Sequence, residues 1–392
     1  MRPTLPFERP RPLAPPPEYA RLRAEAPVAP VLAPDGRPAW LVTSYDAAAA
    51  VLGDRRFGLA PAGEAQPGND TLFQDGEAHA RLRRLVAKAF APRTLTALRP
   101  RVGKLAGELV AAMTGPRADL VEDLATPLSI GVIGELLGVR AAERDRFRAL
   151  ADAAGEADFF FGGEEEVAAA ARAWEALGAY AAELVEARRR DPGDDLLSTL
   201  VGVRDADDGR LGDAELVAMV TTIVSGGYVS ARNAIAVAAL RLLTEDRLAD
   251  AAGPAGAPDA VVDEVLRMQS GLTGEPFPRY AHEDVTLAGT RIAAGDLVLV
   301  RLEAAHRDPA HFPDPDRFLP GRRSSPLLVF GHGAHYCLGA VPARAQVAAA
   351  LDALARQRPG LHLDGPVEAI EWIETGPDLG PKAVPVVLHE LD

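Results

Sequence analysis

The chain of 392 residues carries 42 lysines and arginines against 56 aspartates and glutamates, and this formal charge of −14 argues against non-specific nucleic-acid binding as its main activity. Hydrophobic residues at 48% and charged residues at 25% are those of a soluble globular protein long enough to enclose a cofactor, and no apolar stretch of membrane-spanning length is free of polar residues. The single cysteine, Cys337, excludes an internal disulfide and a structural zinc site built from several thiolates.

In chain order, residues 1–35 are rich in proline and read as an extended lead-in; they lack the apolar core of a signal peptide, which predicts a cytoplasmic protein. "PAWLVTS" (38–44) alternates as a strand does. Apolar spacing predicts helices over 79–91, 97–114, 127–138, 141–154, 164–190, 194–203, 213–245, 259–269 and 338–357. Strands are predicted at 285–292 and 297–303 with a turn at Gly295–Asp296, and loops at 58–76, 158–163 and 308–326. The result is a mainly helical body with a small antiparallel β portion.

Two features stand out. Between His79 and Lys104 the charges are Arg81, Arg83, Arg84, Lys88, Arg93, Arg99, Arg101 and Lys104, without an acid before Glu108, either a solvated helix face or a docking patch for an acidic partner. Within the apolar run 213–245, "IVSGGYVSARNAI" (223–235) places Gly226 and Gly227 mid-helix, each at a cost of ~1 kcal/mol relative to alanine. Phosphate-binding glycine loops, dinucleotide fingerprints and nucleophile elbows are absent from the sequence.

Cys337 lies in "FGHGAHYCLGA" (330–340), where Gly331 and Gly333 permit a tight turn before the sulfur and a helix begins after it. Backbone N–H groups and a positive helix end directed at the sulfur favour a thiolate. This loop resembles the cysteine-ligand loop of the cytochrome P450 haem-thiolate monooxygenases, Phe-Gly-x-Gly-x-His-x-Cys-x-Gly: Phe330, Gly331, Gly333, His335, Cys337 and Gly339 match all six fixed positions. The resemblance continues in "DEVLR" (263–267), with Glu264 and Arg267 on one helix face, in "PLSIGVIGELLGV" (127–139) and in "RDPGDDLLSTLV" (190–201), and so spans roughly residues 40 to 340.

The resemblance implies one haem-thiolate catalytic domain over 1–392, with haem b between the central helix (213–245) and the cysteine loop (330–339). Cys337 would be the iron ligand, pushing electron density to favour O–O cleavage. Haem-binding residues would be His79, Arg83, Arg279 and His335 toward the propionates, with Phe330, Gly331, Gly339 and Gly226 lining the group. Arg317 or Arg322 would join Glu264 and Arg267 in a buried ionic cluster. Departures from the family are His306 in place of asparagine and Pro342 early in the last helix. Residues 58–76, 155–163 (with Phe159–Phe161) and 271–278 (with Phe277) correspond to pocket-forming segments and suit a medium-sized, partly polar metabolite.

In the central helix most members read Ala-Gly-x-Acid-Thr. Aligning Ser225 and Gly226 with the small pair makes Gly227 variable, puts Tyr228 in place of the acid and Val229 in place of the threonine, and leaves the usual proton relay without its acid and hydroxyl. Ser230 could act only if the helix widens locally, and Tyr228 is a poor acid at its ordinary pKa of ~10. Three readings stay open: a hydroxylase or epoxidase of secondary metabolism, an enzyme of oxidative coupling, cyclisation or desaturation, and a haem protein that does not monooxygenate. Electrons would come from NAD(P)H through separate partners, with a ferredoxin docking near Arg81, Arg84 and Lys88 of a monomeric enzyme.

Overall fold

The computed structural model describes residues 2–64, 72–90, 92–155, 163–203, 209–252, 257–273, 275–375 and 378–388. The periodic apolar residues there form helices α1 (Pro17–Glu25), α2 (Tyr45–Gly53), α3 (Gly76–Ala89), α4 (Pro92–Ala112), α5 (Thr126–Leu137), α6 (Arg144–Gly155), α7 (Glu164–Arg190), α8 (Leu196–Gly202), α9 (Asp213–Gly227), α10 (Val229–Thr244), α11 (Ala257–Gln269), α12 (Leu302–Ala305) and α13 (Ala340–Gln357). Their apolar faces meet in one large core through which α10 runs, with every residue from Ala231 to Leu242 buried. The run 213–244 is long and apolar enough to cross a membrane, but its second half is enclosed by protein, as befits a core helix. The helix predicted over 213–245 is therefore two helices, interrupted at Tyr228.

Beside the helices lies a five-stranded sheet in the order Val28–Leu32, Pro38–Val42, Leu297–Val300, Arg279–Ala281, Phe57–Gly58. The expected antiparallel pairing holds for all neighbours but one, since Ala39–Val42 runs parallel to Leu297–Val300. These two segments are far apart in sequence, so no hairpin dictates their direction. The strand predicted over 285–292 is instead a hairpin: Val285–Leu287 and Thr290–Ile292 pair around Ala288 and Gly289, whose φ angles are 47° and 79°. Such a two-residue turn ordinarily carries Asn-Gly, and alanine hides it. The strand from Leu297 ends at Val300 and gives way to α12, because Glu275 accepts the N–H groups of Leu302 and Glu303 at 2.9 and 3.0 Å and starts a helix. The lead-in also departs from an extended form, because α1 and Val28–Leu32 fall within it. Its first residues are fastened by Arg9, which grips the buried carboxylate of Glu303 at 2.7 and 3.0 Å. Pro342 sits in the first turn of α13 without disturbing it, where a missing N–H costs least, and Ala343 N–H still reaches Gly339 at 2.9 Å.

The buried ionic cluster has Arg322 as its third member. The Glu264 carboxylate accepts Arg267 Nε and Nη2 at 2.9 Å each, Arg322 Nη2 at 2.8 Å and the N–H of Leu319 at 2.9 Å. Arg317 contributes its carbonyl, while its side chain stays exposed near Asp314. Burial raises the Glu264 pKa, but the two guanidinium groups outweigh it and hold the carboxyl below its usual range. From this cluster a chain of bonds leads toward the cysteine loop: Arg267 Nη1 donates to the His306 carbonyl at 2.9 Å, His306 Nε2 accepts Leu328 N–H at 2.9 Å, and the Leu328 carbonyl accepts Gly331 N–H at 2.8 Å.

His306 is fully buried, and with Nε2 accepting, its Nδ1–H donates to Ser270 Oγ at 2.8 Å. This is a neutral imidazole of fixed tautomer, whose pKa burial, seconded by Arg267 and Arg307, pulls down to about 3. Unfolded histidine titrates near ~6.5, so the unfolded chain gains a proton first as pH falls. The neutral ring's contribution is complete above ~6.5 and is lost progressively from there down toward the folded pKa, by ~2 kcal/mol at pH 5. His306→Asn is expected to flatten that portion of the stability–pH curve, measured from urea midpoints between pH 7 and 5.

Candidate active site: the cysteine loop and the interrupted helix

Gly331 and Gly333 turn the chain with φ of 78° and 72°, and Cys337 N–H closes the loop on the Phe330 carbonyl at 2.8 Å. The loop presses on the end of α2, where a Cβ on Gly333 would stand 2.9 Å from Gly53 Cα, so glycine is required there by both φ and space. The sulfur of the exposed Cys337 lies near Gly339, 3.7 Å from where a Cβ would be. Burial pushes the thiol pKa up, while the backbone N–H groups of Gly339 and Ala340 and the Arg83 charge favour the thiolate. The donors expected from the sequence are present, and desolvation outweighs them.

Basic side chains gather around this loop. Arg83 donates to the Tyr336 carbonyl, and the rings of His79 and His335 lie 4.2 Å apart. His335 Nε2 bonds Asp75 Oδ1 at 2.8 Å, and the other oxygen of Asp75 accepts Leu59 N–H at 2.7 Å. Burial raises the Asp75 pKa, but the bonds from His335 and Leu59 bring it below its usual value. His79 is 3% exposed, and burial, then the charges of His335 and Arg83, lower its pKa to about 4. Arg279, also buried, has its pKa drawn down to about 10 by desolvation; its guanidinium reaches only the carbonyls of Phe277 and Pro278 among the described hydrogen bonds. The four expected propionate partners are thus gathered by α3, the strand Arg279–Ala281 and the cysteine loop. Asp75, which holds His335, was not visible in sequence, because it stands just before α3 where an acid reads as an ordinary helix-start residue.

The interrupted helix shows one open face. A Cβ on Gly226 would meet nothing within 4 Å, and Ser230 Oγ donates to the Gly226 carbonyl at 2.7 Å across the turn. Tyr228 is 0% exposed and points the other way: its hydroxyl donates to Asp152 Oδ1 of α6 at 2.7 Å, and its carbonyl accepts Ser129 Oγ of α5 at 2.7 Å. Burial and that bond raise the phenol pKa further above its ordinary value. Val229 packs against Gly155, and Gly227 against Ile133. The phenol of Tyr228 is therefore bonded away from the open face, and a register one residue later, with Gly226 and Gly227 as the small pair, would make Tyr228 the variable position, put Val229 in place of the acid and put Ser230 in place of the threonine.

Of the expected pocket segments, residues 65–71, 156–162 (including Phe159–Phe161) and Gly274 lie outside the described residues. Phe277 meets Phe73 edge to face at 5.0 Å. Arg81 gives its charge to Glu215 of α9 at 2.5 Å and so ties α3 to the start of the central helix.

A buried His79 Nε2 without a hydrogen-bond partner among the described residues, a buried Arg279 guanidinium bonded to two carbonyls in the field of Asp75, the exposed Cys337 and free space over Gly226 form a donor set that fits haem. The chain belongs to the cytochrome P450 family. The family signature "Cytochrome P450" matches residues 258–356. Among its relatives, the cytochrome P450 monooxygenase PikC of Streptomyces venezuelae is 40% identical, covering 94% of this chain and 90% of PikC. The mycinamicin IV hydroxylase/epoxidase of Micromonospora griseorubida is 41% identical over 94% of both chains. The crystal structure of the LnmA cytochrome P450 hydroxylase, from the leinamycin biosynthetic pathway of Streptomyces atroolivaceus, superposes with a TM-score of 0.86 at 37% identity over 98% of this chain and 99% of LnmA. The fold is thus a mainly helical P450 fold, and the chain is a monooxygenase of that family.

Proposed function

We propose that this monooxygenase hydroxylates or epoxidises a medium-sized metabolite of secondary metabolism, as one catalytic unit working as a monomer in the cytoplasm. The relatives' named activities support the substrate class. The observation that carries the choice of reaction is Ser230 Oγ on the open face of the interrupted helix, 2.7 Å from the Gly226 carbonyl. A hydroxyl there supplies what oxygen-atom transfer requires and what the sequence alignment had removed. It favours activation of dioxygen over the non-oxygenating alternative, and the hydroxylase and epoxidase activities named for the relatives support oxygen insertion over coupling.

In this reading Cys337 holds the iron, and His79, Arg83, Arg279 and His335 hold the two carboxylates of haem b. Bound haem supplies activation of dioxygen. Arg279 and His79, both desolvated, offer the carboxylates charge-assisted and neutral donors that water does not compete for. Gly226 leaves room for substrate and oxygen. Ser230 donates its proton to the Gly226 carbonyl at rest, and rotation about χ1 turns the same proton to the open side. Val229, packed on Gly155, takes no part in proton transfer.

A panel of secondary metabolites that includes mycinamicin IV is screened by substrate-induced spin-state shift, and the best binder is turned over with NADH, a surrogate ferredoxin and its reductase under labelled dioxygen. One labelled oxygen atom per product is expected; coupled or desaturated product without label would refute the reading. Ser230→Ala is expected to make hydrogen peroxide the main sink for electrons, since loss of one general-acid group slows proton delivery by ~10²-fold or more. Unchanged peroxide yield would remove Ser230 from the mechanism.

The electron donor of this reading is a small acidic ferredoxin docking near the exposed Arg84 and Lys88 of α3. Tyr336 and Val341, 45% and 48% exposed, stand at the cysteine loop and the start of α13 and add apolar contact. Charge reversal of Arg84 and Lys88 to glutamate is expected to slow ferredoxin-driven reduction ~10-fold at low salt while leaving the spin-state titration unchanged. Equal reduction rates, followed by stopped flow, would discard this surface.

A further inference from the structure

Three consecutive residues of the central helix are each packed against or bonded to a neighbouring helix. Gly227 lies so near Ile133 that a Cβ would stand 2.8 Å from Cδ1. Tyr228 is held at both ends, by its hydroxyl on Asp152 and by a carbonyl that accepts Arg232 N–H at 2.9 Å and Ser129 Oγ at 2.7 Å. Val229 occupies the space that Gly155 leaves. Ser129 thus adds a second bond to a carbonyl whose helical bond, from Arg232 N–H, is kept, and ties this turn to α5. Asp152 in turn is steadied by Arg148 at 3.5 Å and Arg232 at 3.7 Å, and Arg148 by Glu122 at 2.8 Å.

We infer that Tyr228 is a positioning residue: clamped between Asp152 and Ser129, it fixes the rotation of the first turn of α10 and so presents the Ser230 hydroxyl to the open face. This rests on the reading of Ser230 given above. The two residues are half a turn apart, so whatever holds the phenol buried on one side turns residue 230 toward the other. Tyr228 thereby acts through its neighbour, from within the core, by way of its bonds to Asp152 and Ser129.

The test uses the haem-loaded full chain. Tyr228→Phe keeps the ring and removes the hydroxyl bond; amide hydrogen exchange in peptides spanning 222–234 is expected to quicken ~10-fold, with a ~5-fold rise in peroxide yield for the best-binding panel compound. Asp152→Asn retains an Oδ1 acceptor and is expected to stay within ~2-fold of the native protein in both measurements, whereas Asp152→Leu reproduces Tyr228→Phe. Native exchange and native peroxide yield in Tyr228→Phe overturn the inference. Ser230→Ala separates the two readings, since it is expected to raise peroxide yield with exchange unchanged. If Tyr228→Phe loosens the helix while Ser230→Ala keeps native peroxide yield, the reading of Ser230 falls, and the role of Tyr228 toward it falls as well.

Discussion

Cys337→Ser is expected to abolish the thiolate-type spectrum of the ferrous carbon monoxide complex and all oxygen-labelled product, while the protein still folds. Serine preserves the backbone bond from residue 337 to the Phe330 carbonyl, and because Cys337 is exposed, little packing is lost. The change in stability should stay within ~0.5 kcal/mol, as for substitutions that create no cavity. What is lost is a soft, electron-rich ligand that a hydroxyl does not replace at neutral pH. The control is the native protein, where a histidine-type spectrum would overturn the assignment of Cys337. Circular dichroism of the variant checks that the loss is one of ligation and not of fold.

The second large effect lies ~70 residues earlier in the chain. Glu264→Gln keeps the volume of the side chain and removes the one carboxylate that faces both Arg267 and Arg322, whose side chains are 0% and 8% exposed. Two guanidinium groups would then be buried without their counter-charge, a loss of ~3–5 kcal/mol when a buried partner is removed. A domain typically has only ~5–15 kcal/mol in hand, so the urea midpoint should fall steeply. Through Arg267, His306 and Leu328 the same loss reaches Gly331, so haem affinity is expected to fall with it. A midpoint within error of the native value would show the cluster to be energetically idle. The carboxyl's pKa is held below its ordinary value, so its contribution is complete above ~4.5 and is lost as pH falls through the folded value. The His306 contribution fades at higher pH, starting near ~6.5, so the two are separable along one acid titration.

The cysteine loop was legible in the sequence because its geometry is local: two glycines at left-handed φ, one sulfur and the start of α13 lie within eleven residues. Helices α5, α7 and α11 were likewise legible within two residues, since an apolar face repeats every three to four positions whatever it packs against. The direction of Tyr228 was not. On a helix one position is ~100°, so aligning Ser225 instead of Gly226 with the small pair turned every side chain that followed. The contacts that favour the other register are made with Gly155, Asp152 and Ser129, and these come from helices ~70 to 100 residues upstream. The choice between Arg317 and Arg322 depended on how a loop folds back, and the parallel strand pair on a partner across most of the chain. Arg81 reads as one of a row of surface charges until Glu215 is seen beside it.

That parallel pair carries a consequence for the order of events in the cell. Trp40 lies opposite Val298 and Val42 opposite Val300, while Arg279 is seated on the other side of the same strand against Val298. A ribosome delivers the first strands long before their partner exists, at ~5–20 residues per second. The early strands therefore wait more than ten seconds as an unpaired edge, a surface that chaperones would shield during synthesis. Arg279 and the cysteine loop reach their places only after that partner has emerged, so capture of the prosthetic group is confined to the final stage of synthesis or to the released chain.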